Sequence, residues 1–491
     1  MPDSLVNIDV IFIGAPLLAI LVNNIWPRGQ AQKICLPLSM AAAVAQMLAA
    51  VICLALLWQS DNTYINFSLF WDMNLLAGSA RFSVDMFSLL VLFSIGMVCS
   101  ISLLTAWQTI GDKALNFCNL LAIIMIGMNG LAMVGDLFSL YVFLEVTGIA
   151  SFVLIAQMRD ERGLEGAFKY LAMSAIASAF LLASLSFIFM ESGSLLFSDV
   201  AASLADWKKA AHPLMLMVSF VFFITAFSIK AGLVPFHGWL PDAYQSAPTP
   251  VSVLLGGIVT KAAGAYAIIR MLRDVFTGID NISNIFAVLG LFSILFGAVA
   301  ATGQRDFKRM LAYSSISQIG YIVLGAAAGN ALGFVGAALH FFNHATFKTT
   351  LFVNAAALEE KTGSTDIETM GGGLQARMPV TGVSSIIAFL STAGIPPLAG
   401  FWSKILIILG VWQAGMISFA VTALFASIFT AVYFLRFQRK VFFGKLDDKL
   451  TEVKEVRGPI LLAQILLSVV TVGFGLLFPA LLSFLRAQSL L

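Results

Sequence analysis

Long apolar runs recur along the whole 491-residue chain, and short stretches of charged or turn-forming residues separate them. A run of about 18 apolar residues is long enough to cross a bilayer as a helix. The pattern predicts an all-α polytopic membrane protein with about 14 transmembrane helices. The predicted spans are about 6–26, 34–58, 83–106, 115–134, 137–157, 166–190, 212–233, 249–269, 282–302, 309–328, 331–356, 380–409, 413–435 and 458–485.

The composition agrees with this pattern and excludes several classes of function. Hydrophobic residues make up 59% of the chain and charged residues 11%, whereas a soluble domain has about 25% charged residues. The net charge of +2 is small and scattered, which argues against a nucleic-acid partner. The four cysteines lie in or beside apolar runs without close pairing, so we expect no disulfide, metal site or redox cofactor.

Basic residues in the connections predict the orientation of the chain in the membrane. If the N-terminus is outside, the inner loops hold 17 of the 28 basic residues, Lys308 among them, and the outer side holds six, including Arg270 and Arg273. Both termini are therefore predicted to be extracytoplasmic. The chain itself is predicted to lie in the inner (plasma) membrane of the cell. The N-terminus lacks a basic n-region and reads as a retained first helix. The five remaining basic residues fall inside predicted spans: Lys169, Lys230, Lys261, Lys348 and Lys404.

A weak internal repeat marks two helix breaks. The segments "AGLVPFHGW" and "AGIPPLAGFW" begin 162 residues apart, at Ala231 and Ala393, each in an apolar run beside a lysine. Pro235 in the first segment, and Pro396 and Pro397 in the second, would interrupt a helix. Broken helices in duplicated halves of a membrane protein indicate an ion or substrate pathway.

Three lysines and one glutamate are candidates for that pathway. Lys261 lies about twelve residues into its span, near the middle of the bilayer. Lys404 follows the second break, where backbone carbonyls without helical partners could bind it in a purely structural role. Lys230 lies near the end of its apolar run, so its side chain could instead extend to the membrane surface. Glu145 is the one charge on its predicted helix, so it is either protonated or paired with a cation on another helix, such as a buried lysine.

A histidine stripe adds further candidates. His340, His344 and Lys348 recur every four residues, so they share one helical face. A histidine pair with this spacing could bind a metal, but no acidic or cysteine ligand is nearby, and we favour a polar stripe that carries protons or water. His237 is either a structural loop residue or a relay group. Lys169, beside a charged loop, is either a relay group or a snorkelling side chain.

These residues together predict proton translocation. Burial disfavours the charged form of lysine, whereas a nearby carboxylate favours it, so a buried lysine beside a glutamate can hold or release a proton. Two other functions stay open. A self-sufficient Na⁺/H⁺ antiporter is disfavoured because a hard cation needs several oxygen ligands and few buried carboxylates besides Glu145 are present. A non-conducting membrane scaffold would have no reason to bear buried lysines.

The sequence also resembles a known family. The segments "SIKAGLVPFHGWLPDAYQSAPTPVSVLLGGIVTKAAGAYAIIR", "DLFSLYVFLEVTGIASFVLIA", "KRMLAYSSISQIGYIVLG" and "STAGIPPLAGFWSK" resemble the antiporter-like subunits of respiratory complex I, membrane-bound hydrogenases and Mrp-type cation/proton antiporters. The likeness covers roughly residues 83–410 and is greatest to the shorter members, of the Mrp type and its hydrogenase counterpart. It implies that Glu145, Lys230, Lys261 and Lys404 match the family's glutamate and lysines on helices 5, 7, 8 and 12.

The resemblance implies an organisation and an assembly. Within one integral membrane domain, 1–491, it implies N-terminal helices 1–3 in 1–110, two inverted five-helix repeats in 111–273 and 274–437 with helices 7 and 12 broken, and a cytoplasmic loop and helix 14 in 438–491. It implies a translocase subunit that holds no cofactor and has no catalytic residues of its own. The expected partners are other membrane subunits, including homologous antiporter-like subunits, and the lipid bilayer. The expected transported ion is H⁺, with Na⁺ as an open alternative.

Overall fold

The computed structural model describes residues 9–26, 28–59, 65–67, 82–277 and 279–487, and these residues are almost entirely helical. The predicted extracytoplasmic termini, residues 1–8 and 488–491, lie outside the described residues, as does Arg81 of the outer-side count. The α-helices are α1 Asp9–Ile25, α2 Arg28–Gln59, α3 Met86–Thr109, α4 Ala114–Met133, α5 Leu137–Ile155, α6 Glu161–Ser192, α7 Phe197–Leu204, α8 Pro213–Ala231, α9 Trp239–Ser246, α10 Thr249–Leu254, α11 Ala267–Arg270, α12 Asp280–Thr302, α13 Phe307–Ala327, α14 Ala331–Thr362, α15 Pro379–Ala393, α16 Ala399–Gln413, α17 Ile417–Val441 and α18 Pro459–Ala487.

The all-α membrane fold is confirmed. Among the described residues, eleven helices are long and apolar enough to cross a membrane, and three shorter apolar helices accompany them at Val10–Ile25, Pro379–Ala393 and Ala399–Gln413. The 32-residue helix α14 is not in this set, although it is almost fully buried, because polar residues interrupt its apolar sequence. The predicted number of spans and the inverted repeats stay predictions, as does the division of the chain at 110, 273 and 437.

Both proline-containing segments lie between helices. Helix α8 ends at Ala231, Gly232 follows with a φ of +67°, and α9 begins at Trp239. Residues 380–409, predicted as one span, form α15 and α16 with an interruption that begins at Gly394, whose φ is +83°. A positive φ is readily adopted by glycine, so each interruption starts where the sequence permits the chain to leave the helix.

The span after the first interruption is irregular. Residues Thr249–Val275 form one continuous apolar segment, but only its α10 and α11 portions are α-helical. The remaining turns are π-helical, at Leu255–Val259, Lys261–Tyr266 and Met271–Val275. Widened turns of this kind occur frequently at functional sites, and one of them begins at Lys261.

The described chain divides into two compact units that are not contiguous in sequence. Unit 1 comprises Met1–Leu103, Ile110–Ala231 and Ile258–Ile282, and unit 2 comprises Leu104–Thr109, Gly232–Gly257 and Ser283–Leu491. In unit 1, a short antiparallel pair of strands, β1 Ile65–Phe67 and β2 Phe82–Val84, precedes α3. The hydrophobic pattern did not predict these strands or α7, because three to eight residues are too few to show a period.

Candidate functional site

In unit 1, Glu145 and Lys230 are in direct contact. The Lys230 Nζ donates a hydrogen bond of 3.0 Å to the Glu145 Oε1, and 4% of the lysine side chain and 27% of the glutamate side chain are exposed. Helix α5 carries the glutamate and α8 the lysine, 85 residues later. Gly148, one turn after Glu145, lies beside the lysine, since a Cβ there would be in ordinary contact with the Lys230 Nζ, at 3.8 Å. The carboxylate on an otherwise apolar helix therefore has a buried cation on a neighbouring helix.

Two serines of α6 complete this pair, and the sequence analysis missed both. The Lys230 Nζ donates to the Ser174 Oγ at 2.8 Å, and the Ser178 hydroxyl donates to the Glu145 Oε1. Ser174 and Ser178 are four residues apart and so share one face of α6. Serine is common in transmembrane helices, where its hydroxyl often bonds its own helix, so no sequence signal distinguished these two.

Lys261 is also buried in unit 1, with 1% of its surface exposed. Close approach of two backbones positions its helix. A Cβ added to Gly264 would lie 2.7 Å from the Ala231 backbone nitrogen, which is tighter than real Cβ contacts allow. Gly264 thus packs the π-helical turn that begins at Lys261 directly against the end of α8, one residue beyond Lys230.

In unit 2, Lys404 and His340 both lie close to Tyr321. The Lys404 Nζ is 4.5 Å from the centre of the Tyr321 ring and donates a 2.7 Å hydrogen bond to the Thr392 carbonyl, which the interruption between α15 and α16 leaves available. The His340 ring centre is 6.0 Å from that of Tyr321. Its two ring nitrogens lie 2.9 Å from the Ser403 Oγ and 3.1 Å from the Gln318 Oε1.

The stripe predicted on α14 is buried along its length. His344 stacks on His340 with ring centres 6.3 Å apart and planes inclined by 10°, and both side chains are inaccessible to solvent. One turn later, the Lys348 Nζ donates to the Leu311 carbonyl at 2.9 Å and to the Ser314 hydroxyl of α13. The structure thus places His340, His344 and Lys348 in consecutive turns of one buried helical face.

The two remaining candidates lie apart from these sets. Lys169 is 41% exposed and forms a 2.6 Å ion pair with Glu165, one turn earlier on the same helix. His237, in the segment between α8 and α9, is half-buried, and its ring packs edge-on against Phe296 at 4.7 Å. Among the described residues, no group of three or more His, Cys, Asp or Glu side chains could hold a metal ion.

Arg270 and Arg273, two of the basic residues counted on the outer side, both pair with Asp85. Arg270 is only 6% exposed and donates to the Asp85 Oδ2 at 2.8 Å, to the Ser88 hydroxyl and to the Tyr266 hydroxyl. Arg273 also bonds the Asp85 Oδ2, at 2.6 Å. Burial alone would raise the pKa of Asp85, but the charges of the two arginines outweigh it and lower that pKa to about 2. The cluster therefore fixes the end of the Thr249–Val275 segment, which contains Lys261, to the start of α3.

These contacts give each unit a set of groups that can hold a proton away from water. A proton can pass between Lys230 and Glu145, because Ser174 accepts a hydrogen bond from the lysine and Ser178 donates one to the glutamate. In unit 2, a neutral imidazole or a neutral lysine can accept one proton, and hydroxyl or carbonyl oxygens lie within hydrogen-bond distance of His340, Lys348 and Lys404.

Comparison with known proteins places the chain in a family. The family described as NADH:quinone oxidoreductase/Mrp antiporter, TM, matches residues 134–430. The chain is 39% identical over 313 residues to an NADH-quinone oxidoreductase subunit of Desulforudis audaxviator (strain MP104C), which covers 63% of this chain and 61% of that relative. It is 31% identical over 394 residues to a Na(+)/H(+) antiporter subunit of Alkalihalophilus pseudofirmus (strain ATCC BAA-2126 / JCM 17055 / OF4), covering 80% and 79%.

Solved structures extend the likeness to nearly the whole chain. A chain of the Mrp complex from Dietzia sp. DQ12-45-1b superposes with a TM-score of 0.86 at 25% identity, covering 98% of this chain and 96% of that one. A chain of the membrane-bound sulfane sulfur reductase, an archaeal respiratory membrane complex, gives 0.86 at 26% identity and covers 99% and 97%. The matched family segment and these relatives show that this chain belongs to the NADH:quinone oxidoreductase/Mrp antiporter family of membrane subunits.

Proposed function

We propose that this chain translocates protons as one subunit of a multi-subunit complex in the plasma membrane. The observation that carries the proposal is the contact between Glu145 and Lys230, a buried lysine held by a glutamate and two serines. An ionisable pair inside a membrane protein is costly to maintain, and such residues typically belong to ion pathways and other functional sites. The relatives named as subunits of quinone oxidoreductase and antiporter complexes support the assembly with other membrane subunits.

The proposed relay uses both sets of buried groups. In unit 1, Glu145, Lys230 and Lys261 would hold the proton, and in unit 2, Lys404, His340, His344 and Lys348 would do so. Loss of the Glu145 charge would release the proton of Lys230, because the ammonium would then be buried without its counter-ion. We assign no relay role to Lys169, whose partner and exposure are those of a surface residue. His237, beside the first helix interruption, would serve as an additional relay group.

Lysine replacement in the intact complex tests the proposal. Vesicles containing the complex with Lys261→Ala should retain the assembled subunit, because an apolar side chain suits that buried site, and should lose energy-driven proton movement. Lys169→Ala is the matched control, since it removes a lysine that is 41% exposed, and it should pump as the wild type does. Proton movement within twofold of wild type in Lys261→Ala would contradict the assignment.

A self-sufficient Na⁺/H⁺ antiporter is the second candidate; Na⁺/H⁺ exchange itself is favoured by the 31% identity to a relative named as a Na(+)/H(+) antiporter subunit. The chain expressed alone and reconstituted into vesicles distinguishes the two. The proposal expects no Na⁺-dependent dissipation of a pH gradient by the isolated chain, and exchange at the rate of the whole complex would favour the second candidate.

A further inference from the structure

Unit 2 contains a second lysine–glutamate pair, whose lysine was counted above among the basic residues of the inner loops. The Lys308 Nζ lies 3.1 Å from the Glu359 Oε2, with 5% of the lysine side chain and 41% of the glutamate side chain exposed. The Thr249 hydroxyl also donates to that carboxylate, and the lysine donates to the Ala247 carbonyl at 3.4 Å. We call Lys308 and Glu359 the rim pair.

The rim pair repeats the asymmetry of the Glu145–Lys230 contact. In both pairs the lysine is buried, with 4% or 5% of its side chain exposed, while 27% or 41% of the glutamate is accessible. A structural ion pair in water needs no such burial, and its stabilising effect would be only about 0 to 1 kcal/mol. The arrangement suits a carboxylate that exchanges protons with its surroundings and a lysine that is shielded from them.

The rim pair lies at the polar end of α13 and α14. Lys308 is in the first turn of α13, and Glu359 is in the last turn of α14, which ends at Thr362. The next two residues of α14 are also charged, and they form their own 2.8 Å ion pair between Lys361 and Glu360. The Glu359 carboxylate therefore belongs to a charged helix end where water is the natural proton source.

The same two helices lead from the rim pair to Lys348. On α14, Glu359 follows Lys348 by eleven residues, which is close to three whole turns and places both on one face, about 16 Å apart. On α13, Leu311 follows Lys308 by one turn, and its carbonyl accepts the 2.9 Å hydrogen bond from the Lys348 Nζ. Both lysines therefore lie along the same α13–α14 contact, one at its rim and one in its interior.

An aromatic side chain, Phe352, lies along α14 between Lys348 and Glu359. Phe352 lies on the same face of α14, one turn after Lys348, and its ring packs edge-on against Tyr244 at 5.8 Å. Its ring fills the place of a side chain at Gly256, because a Cβ there would collide with it. Gly256 belongs to the π-helical turn Leu255–Val259, so rearrangement of that turn would change the space that the Phe352 ring occupies.

We propose that the rim pair is a proton-loading site for Lys348, with Phe352 as its gate. The inference rests on the proposed function. Lys308 passes its proton inward to a neutral Lys348 and becomes a neutral amine. Glu359 takes a proton from water at the rim and gives it to Lys308, which restores the ion pair. One proton enters and one moves forward in each cycle, so the pair keeps its net charge.

Replacement of the carboxylate, followed by chemical restoration, tests the site. In vesicles of the intact complex, Glu359→Gln should lower proton movement at least tenfold at equal amounts of assembled subunit. Glu360→Gln, the same change at the next residue, is the matched control and should stay within twofold of wild type. Glu359→Cys should be equally impaired. Alkylation with iodoacetate, which displaces iodide and leaves a carboxylate on the sulfur, should restore at least half of the activity.

A sulfonate distinguishes proton loading from a structural charge. A methanethiosulfonate reagent that adds ethylsulfonate to Glu359→Cys restores the negative charge, but the sulfonate stays deprotonated, so activity should not return. The four native cysteines are buried, and wild type treated with either reagent serves as the control. Restoration by both reagents or by neither, or near-normal pumping by Glu359→Gln, would overturn the proposal. If Lys261→Ala pumps normally, the proposed function itself fails; if only Glu359→Gln does, the rim pair alone is misassigned.

Discussion

Removal of either member of the Glu145–Lys230 pair should disable the same step of transport. Two charges 3.0 Å apart attract by about 5 kcal/mol at the effective dielectric constant of about 20 that suits protein sites. Two features reduce this value: 27% of the glutamate side chain is exposed, and the Ser174 hydroxyl still accepts a hydrogen bond from the Lys230 Nζ when the carboxylate is gone. We expect about 2 to 3 kcal/mol of coupling, which corresponds to roughly a 30- to 140-fold loss of transport rate.

A double-mutant cycle measures this coupling. Proton movement into sealed vesicles is recorded with a pH-sensitive dye for Glu145→Gln, Lys230→Ala and the double variant, at matched amounts of assembled subunit. The double variant should be little worse than either single one, because residues that act as a unit are not additive. Glu145→Asp should retain part of the activity, and Glu165→Gln, on the exposed pair of α6, should retain all of it. If the two single losses simply multiply, the residues do not form a coupled switch.

Three further predictions concern packing, charge and orientation. Gly264→Ala should destabilise the assembled chain by about 1 to 3 kcal/mol, since its Cβ meets the Ala231 backbone, and a thermal scan should show no such loss for Gly473→Ala, which has open space. The Asp85 carboxylate has its pKa lowered to about 2, so its pairing stabilises the fold at neutral pH and is lost as the pH falls from about 4 towards 2; acid titration of stability should show this loss in wild type and not in Asp85→Asn. Cysteine at the exposed position Lys449 should react only with reagent supplied from the cytoplasmic side, and labelling from outside would reverse the predicted topology.

Local sequence signals predicted most of the fold. Apolar runs gave the helices because burial in lipid requires a continuous apolar segment. Glycine and proline predicted the segments after Ala231 and Ala393, since both residues change what the backbone itself can adopt. Glu145 is the one carboxylate on α5, and a carboxylate on an apolar helix is either protonated or paired with a cation, so a partner on another helix could be expected. The choice of Lys230 as its partner came from the resemblance, because contacts between helices 85 residues apart leave no local trace.

Long-range contacts explain what the sequence did not reveal. Arg270 looked like a loop charge because its partner, Asp85, is 185 residues away. Lys308 likewise looked like an inner-loop charge, because its partner Glu359 lies at the far end of α14. Ser174 and Ser178 had no signal at all, because their role depends on which side chains face α6. The histidine stripe was visible through its four-residue spacing, but its neighbours Tyr321 and Ser403 were not.

The number of protons moved per turnover of the intact complex tests the central claim most directly. The complex is reconstituted into sealed vesicles with wild-type chain or with Lys404→Ala, and proton uptake and turnover of the energy-supplying partners are recorded together. In the wild type, the Lys404 ammonium is held at the α15–α16 interruption. Lys404→Ala should therefore lower the number of protons moved per turnover by the whole contribution of this subunit. An unchanged ratio at equal assembly would contradict proton translocation through this chain.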